Sequence, residues 1–459
     1  MNASRSTGPS GLQFTHPFLA VVLGGGFTGM LTAAALSGYA DVIVVERERL
    51  PRTPALPTDL PQARHAHLLS ADGARAVESL LPGVTERWLA EGARALPLPS
   101  GASAAAPQGR STRRPAKCLI ACSRDLLDRV VREQVPALDG IGVLDATEAE
   151  GLTGTAEHIT GVRIRDTVTG RVRRLDADLV VDATGRHSTT PDRLVQLGLP
   201  AVAEERADPG IVSATRIFRA PPGAPNYPVI TARSAPEEHA GHGRTATLVP
   251  IEGGRWLVTL TGAGSDRPSE HADRFVPFAR RIPQCVIGDL IADAEPLSEV
   301  HLTRDTASRL RRYEQLLPWP TGFVALGGAV AAFTPDYGQG LSIAAHSALA
   351  LRQALRRRGL DAPGFARTVQ QSLARIAQAP WTDATGRPLP AAAAGARPSA
   401  AGRFVRGAVN GVLGTTLGRS PVCRAYVDVV KPAARFARPS ASVPLPAAAP
   451  AARRKPADH

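Results

Sequence analysis

The stretch from Leu19 to Arg47, LAVVLGGGFTGMLTAAALSGYADVIVVER, limits the possible folds more than any other part of the chain. Leu19–Leu23 is a continuous apolar run, the pattern of a strand buried on both faces. Gly24, Gly26 and Gly29 then complete G-x-G-x-x-G around Phe27 and Thr28. Met30 to Leu36 are mostly small and apolar, as a helix pressed onto a sheet requires. Asp41–Val45 repeats the buried-strand pattern and ends at Glu46-Arg47. Each glycine serves a different physical end. Gly24 permits the tight turn, Gly26 lets a pyrophosphate approach the backbone, and Gly29 permits close helix–strand packing. The phosphates would lie on the helix N-terminus, where backbone N–H groups have no intrahelical partner. Glu46, twenty residues beyond Gly26, is placed to accept hydrogen bonds from a ribose. A lone glycine motif is weak. Strand, glycines, helix, strand and terminal acid in this order point to an adenine-dinucleotide site.

A chain of 459 residues, 43% hydrophobic, exceeds one simple core and suits two closely joined domains with tails. The formal charge of +13 has the sign of a nucleic-acid binder, but only Lys117, Lys431 and Lys455 are lysines and aromatics are 4%. The surplus is arginine spread along the chain, as a G+C-rich coding sequence produces, and there are too few rings for base-stacking platforms. No nucleic-acid partner is expected; an anionic substrate or an acidic carrier protein stays open. Cys118, Cys122, Cys285 and Cys423 do not make a disulfide framework in so long a chain, and C-x-x-x-C lacks the second pair zinc needs. Reduced thiols and no metal are expected. With no signal peptide, and with the first apolar stretch broken by glycines, the expectation is a cytoplasmic protein without stable membrane insertion, monomer or homodimer.

The expected organisation begins with a disordered leader over residues 1–17 and the first part of a nucleotide-binding domain over 18–200. A substrate-binding β-sheet domain occupies 201–300, and the chain returns to the first domain over 301–358. A C-terminal helical segment (359–436) and a disordered tail (437–459) complete it. Pro51, Pro54, Pro57 and Pro61 mark a loop that ends in PQARHAHLL, with Gln62, Arg64, His65 and His67. Periodicity predicts helices over 70–81 and 123–135, the second capped by Ser123 or Asp125, and a low-complexity loop over 97–116. A hairpin around Thr169-Gly170 leads to a buried strand over 177–183, expected to be the last of the nucleotide-binding sheet, with a turn at Gly185. Strands are predicted over 211–218, 245–250, 256–260 and 322–326, and helices over 275–291, 342–357, 364–378 and 403–436.

The ordered set GGGFTG, VER, PQARHAH, SRDLLDRVVRE, DLVVDATGRHS, GRWLVTL and GFVALGGAVAAFTPDYGQGL resembles the FAD-dependent monooxygenases of the aromatic-hydroxylase class. The nearest branch is that of bacterial epoxidases and related enzymes tailoring polyketides, polyenes and polyethers, and the resemblance spans roughly residues 18–440. It implies an α/β fold: a Rossmann-like FAD-binding domain interrupted by a mostly antiparallel substrate sheet, with a C-terminal helical segment. It also implies that Gly24, Gly26, Phe27, Thr28, Gly29, Glu46 and Arg47 hold the ADP half of FAD. Arg64 would line the flavin, Arg124 would contact the cofactor from a helix start, and Gly185 lies in the turn after the DATG strand. Gly338, Gln339, Gly340 and Leu341 would sit at the pyrimidine edge of the isoalloxazine. Physics supports that last assignment independently, because reduced flavin is negative at that edge and a helix N-terminus stabilises negative charge. Blander readings stay open: Arg64 and Arg124 as solvated charges, His65 and His67 as structural histidines, Gly338 and Gly340 as turn formers.

Two departures from the family stand out. Gly327-Gly328 replaces the usual Gly-Asp, so the carboxylate that normally binds ribityl or ribose hydroxyls is missing. Asp336 stands beside the flavin loop where an uncharged residue is usual, either complementing the helix dipole or acting as an acid or base. The resemblance implies an epoxidase or hydroxylase reduced by NADPH or NADH. A flavin hydroperoxide would pass one oxygen to a hydrophobic polyketide-type substrate, free or carrier-bound. Arg64, His65 and Asp336 are the catalytic candidates. The alternative is a redox-neutral cyclase or isomerase with FAD structural or weakly bound, in which Asp336 or a histidine moves a proton. A halogenase lacks its W-x-W-x-I-P, and a binding-only module remains the plainest alternative.

Overall fold

The computed structural model describes residues 15–50, 64–97, 118–222, 229–234, 243–282, 286–334 and 339–385. The chain opens with β1 (Leu19–Leu23), α1 (Phe27–Leu36) and β2 (Asp41–Val45). Next come α2 (Ala71–Leu80), α3 (Arg124–Gln134), β3 (Ile141–Leu144) and β4 (Leu179–Asp182). The middle of the chain supplies β5 (Ile211–Arg219), β6 (Ile230–Arg233), β7 (Thr245–Ile251), β8 (Arg255–Ala263) and β9 (His301–Thr303). It then returns through β10 (Phe323–Ala325), α4 (Gln339–Arg358) and α5 (Phe365–Thr385).

The first sheet is five-stranded and parallel, in the order β10-β4-β1-β2-β3. All of β2 and all but the first residue of β1 are buried. Their continuous apolar runs follow from this burial on both faces. Helix α1 is buried along almost its whole length, packed against β2, α3 and α4. Its alanines allow that close approach. One expectation is corrected. β4 is not the last strand, because β10 pairs outside it with Val180 opposite Phe323. An apolar run reports burial, not position in the sheet.

The middle sheet is antiparallel, in the order β6-β7-β8-β5-β9. One face carries Ala214, Phe218, Leu248, Trp256, Val258 and Leu260, and packs on Phe275, Phe278 and Ile282. The helix expected over 275–291 is two helices, Ala272–Arg280 and Val286–Leu290, and the sequence places Pro283 between them. Three smaller sheets accompany these two. The hairpin around Thr169-Gly170 is present and gains a further strand, Thr147–Gly154, where a register shift between Ala149 and Gly151 breaks the alternation that would have revealed it. Ser70, just inside the predicted helix start, is the cap of α2 and accepts from Gly73 N–H. Ser123, not Asp125, caps α3.

The leader's residues 1–14, the loop with Gln62, most of the 97–116 loop, Cys285, Cys423, Asp336, Gly338, the 403–436 helix and the 437–459 tail lie outside the described residues. Among the described residues no helix is long and apolar enough to cross a membrane, and no cluster could hold a metal ion. Cys122 is a free, buried thiol whose pKa burial pushes up.

Candidate active site

The three glycines of the first turn differ in what a side chain at each would meet. Gly24 has φ +98°, and a Cβ there would lie 2.8 Å from the Ala183 carbonyl oxygen at the end of β4. A Cβ on Gly29 would lie 1.7 Å from the Gly24 carbonyl oxygen, so the crowding is with the turn itself more than with the strand. A Cβ on Gly26 would meet nothing within 4 Å. The space in front of Gly26 is open, and Gly26 is also the N-cap of α1, without a side chain to satisfy the first N–H groups. No acidic residue stands in that first turn. An uncapped helix start with an open face has the donors and the positive end of the dipole that a pyrophosphate needs. The residues fit an adenine dinucleotide.

Glu46 closes the other side. Its Oε2 accepts from Gly25 N–H at 2.5 Å and its Oε1 from Glu48 N–H at 2.9 Å. These bonds fix the carboxylate beside the turn, and each oxygen keeps a lone pair for a ribose hydroxyl. Arg47 turns outward, donating to Glu48 at 3.0 Å on the surface.

The other strand ends converge on the same place. Asp182, fully buried at the end of β4, accepts from Thr184 N–H (2.9 Å) and from the Ser188 hydroxyl (2.5 Å), pinning the turn that holds Gly185. Gly327 has φ +56°, and a Cβ there would lie 2.6 Å from Thr28 Cγ2 in α1. A Cβ on Gly328 would lie 3.1 Å from Gly185 Cα, so the place of the missing carboxylate is pressed against the Gly185 turn. Arg186 donates to the Ala307 (2.5 Å) and Phe333 (2.8 Å) carbonyls, and Arg311 to the Ala329 carbonyl (2.9 Å), holding the segment that follows β10. At the start of α4, Gln339 and Leu341 are buried, Gln339 Oε1 has no hydrogen-bond partner, and a Cβ on Gly340 would meet nothing within 4 Å. Ligands of open α/β sheets bind outside the carboxyl ends of the strands, and this convergence lies there.

Arg124 joins this centre to the middle sheet. It lies over the Phe27 ring at 5.4 Å and donates to Asp128 at 2.7 Å. Its charge, added to burial, lowers the pKa of His67 to about 4. The neighbouring His65 is 1% exposed and burial lowers its pKa to about 3. His65 Nδ1 pairs with Thr215 Oγ1 at 2.7 Å, and Thr215 Oγ1 with Thr259 Oγ1 at 2.7 Å. Thr259 Oγ1 also accepts from Ala66 N–H at 2.9 Å. Arg64 donates to His301 Nδ1 at 2.8 Å and, with burial, keeps His301 below its usual pKa. Of the residues singled out from sequence, the glycines, Phe27, Thr28 and Glu46 form one cluster and Arg64 and His65 another, with Arg124 between them. Thr215, Thr259 and His301 had gone unnoticed. For the two threonines the signal was the alternation of hydroxyls in β5 and β8; His301, in the three-residue β9, had none.

A concavity of about 810 Å³ opens at the opposite end of the parallel sheet, beside Phe18, Leu179 and the 360–366 turn. Neither the glycines of the first turn nor Glu46, Arg64, His65 or Arg124 line it.

A nucleotide cradle at the ends of a parallel sheet, joined through arginine and histidine to a second, antiparallel sheet, defines the FAD-dependent oxidoreductases of the aromatic-hydroxylase class. The chain belongs to the FAD binding domain family, whose model matches residues 19–357. It is 30% identical over 393 residues to protein Rv3254 of Mycobacterium tuberculosis, covering 81% of this chain and 82% of that one. Kynurenine 3-monooxygenase of Salinispora arenicola is 28% identical over 361 residues, covering 73% and 72%. The crystal structure of PqsL, a probable FAD-dependent monooxygenase from Pseudomonas aeruginosa, superposes with a TM-score of 0.57 at 20% identity, covering 80% of this chain and 93% of that one.

Proposed function

We propose that the chain is a monooxygenase that places one atom of dioxygen on a polyketide-type small molecule, free or carried by an acidic protein, as an epoxide or a hydroxyl group. NADPH or NADH is the electron donor in this reading. Gly24, Gly26, Phe27, Thr28, Gly29 and Glu46 would hold the ADP half of FAD, with Arg47 at the rim. Arg64, Gly338, Gln339, Gly340 and Leu341 would lie at its ring system, with Arg124 contacting the cofactor from the start of α3 and Gly328 at the ribityl or ribose hydroxyls. When bound, FAD supplies the two-electron activation of dioxygen that oxygen insertion requires.

The chain's own residues do the positioning. The start of α1 would offer N–H donors to the pyrophosphate, and Arg124, braced by Asp128, would present positive charge to the cofactor. One observation carries the choice between oxygenase and cyclase. The start of α1 is open and uncapped beside the fixed Glu46 carboxylate, a cradle for the redox cofactor that an oxygenase uses at every turnover. A redox-neutral cyclisation draws on none of the redox chemistry that such a cofactor supplies. The test is product mass with isotopically labelled dioxygen, NADPH and a panel of polyketide-type ring compounds. A product carrying one labelled oxygen, formed only with reductant, is expected. An isomeric product formed without dioxygen or NADPH would overturn the reading in favour of the cyclase.

A further inference from the structure

Residues 64–66 run across the middle sheet, and each is tied to a different strand. Arg64 Nη1 reaches His301 Nδ1 in β9 at 2.8 Å. His65 Nδ1 pairs with Thr215 Oγ1 in β5 at 2.7 Å, and Ala66 N–H donates to Thr259 Oγ1 in β8 at 2.9 Å. His301, Thr215 and Thr259 are register partners on three neighbouring strands, so consecutive residues of the loop meet consecutive strands. Neighbouring strands lie about 4.8 Å apart, whereas one residue advances the chain by about 3.8 Å at most. A chain crossing a sheet in this way keeps step only where a side chain covers the difference. The long reach of Arg64 does so at the edge strand.

The contact at that edge has a geometry of its own. The same Arg64 Nη1 is 3.3 Å from His301 Nε2 as well as 2.8 Å from Nδ1. A donor at the tip of one in-plane lone pair would reach a single ring nitrogen, so the guanidinium lies against the ring. Arginine stacks on flat rings in this manner. The ring stays an acceptor because it stays uncharged. Burial, and after it the Arg64 charge, hold His301 below its usual pKa, against the pull of Glu299. Arginine is among the side chains with most rotamer freedom to lose. A contact that settles its arrangement before a ligand arrives lowers the cost of binding that ligand.

We infer that His301 is a positioning residue, holding the Arg64 guanidinium where it would meet the flavin and so raising the affinity for FAD without touching it. The inference rests on the place proposed for FAD, not on the reaction proposed for it. Its distinguishing mark is that His301 acts only through Arg64. Removing the ring leaves the charge of Arg64 present but no longer set in place.

The test is a double-mutant cycle on FAD affinity, read by fluorescence quenching on purified full-length protein beside thermal melts. Arg64→Met should weaken FAD binding by roughly tenfold, the loss of one charge-assisted contact. His301→Leu, with Arg64 intact, should lose roughly fivefold. His301→Asn, whose amide oxygen can stand where Nδ1 stands, should return to within about twofold of the wild type. The His301→Leu/Arg64→Met variant should bind no more weakly than Arg64→Met alone, because nothing is then left to place. His301→Ala repeats the comparison if leucine does not pack. Losses that add in the double variant, wild-type affinity in folded His301→Leu or in Arg64→Met, or no recovery in His301→Asn would each overturn the inference. Tight FAD binding with this coupling, but without oxygen insertion, would instead sink only the oxygenase reading.

Discussion

Gly26→Val separates binding from folding at the first turn. Gly26 has φ −74° and ψ −175°, extended backbone that valine adopts readily, and its absent Cβ has no neighbour within 4 Å. The folded chain should therefore accept the side chain, at a cost of about 1 kcal/mol or less for a poorer N-cap. The two added methyl groups fill the open space at the start of α1, where a pyrophosphate would sit. Losing two charge-assisted hydrogen bonds at about 1.5–3 kcal/mol each gives roughly 3–6 kcal/mol. That is about a hundredfold to ten-thousandfold in the FAD dissociation constant. The assay is flavin content after purification, then titration of FAD by fluorescence quenching, beside a thermal melt without FAD. Gly29→Ala supplies the contrast: its Cβ would lie 1.7 Å from the Gly24 carbonyl oxygen, so it should lose the fold rather than only the cofactor. A Gly26→Val protein with wild-type flavin content and affinity would refute the assignment of that space.

Gly328→Asp, the reversion toward the family pattern, should weaken FAD binding or lower the melting temperature by a few degrees, because the new Cβ meets Gly185 Cα at 3.1 Å; tighter FAD binding by titration would count against this. Acid should destabilise the protein earlier than its carboxylates alone predict. His65 binds its proton at about 6.5 when unfolded and at about 3 when folded, so its contribution is complete above pH 6.5 and falls as pH drops through that window. At pH 5 this amounts to about 2 kcal/mol, and His65→Gln should show a smaller drop in melting temperature between pH 7.5 and pH 5 than the wild type. Asp125, whose pKa is raised to about 6 by burial and by Asp128 and Glu252, has the opposite sign: Asp125→Asn should stabilise at pH 8, where the carboxyl is charged, and not at pH 4, as paired melts would reveal.

How much of this was legible follows from the range of each interaction. β1, α1 and β2 could be drawn from sequence because glycine spacing and apolar runs are local signals. In the middle sheet β5, β7 and β8 were legible as short runs, while β6 and β9, four and three residues long, were not. Sequence shows that Thr215 and Thr259 alternate with apolar neighbours but not that His65 and Ala66 lie against them. Arg64 and His301 are 237 residues apart and form a pair only because β9 is the edge strand nearest that loop. Gly328 read as a deleted carboxylate. A Cβ there would lie 3.1 Å from Gly185 Cα, a tight contact between two strand ends that no local pattern announces.

The return of the chain to its first sheet bears on how the protein is made. Phe323 takes its place beside Val180 only after the whole middle sheet has been synthesised. At roughly 5–20 residues per second, the 141 residues from Asp182 to Phe323 take roughly ten to thirty seconds to emerge from a ribosome. Through that interval β4 presents an apolar strand edge with no partner, the kind of surface that captures other nascent strands. Thr28 likewise waits for Gly327. The nucleotide cradle is therefore among the last parts to close, and a chain interrupted before α4 would carry every glycine of the first turn yet no completed site.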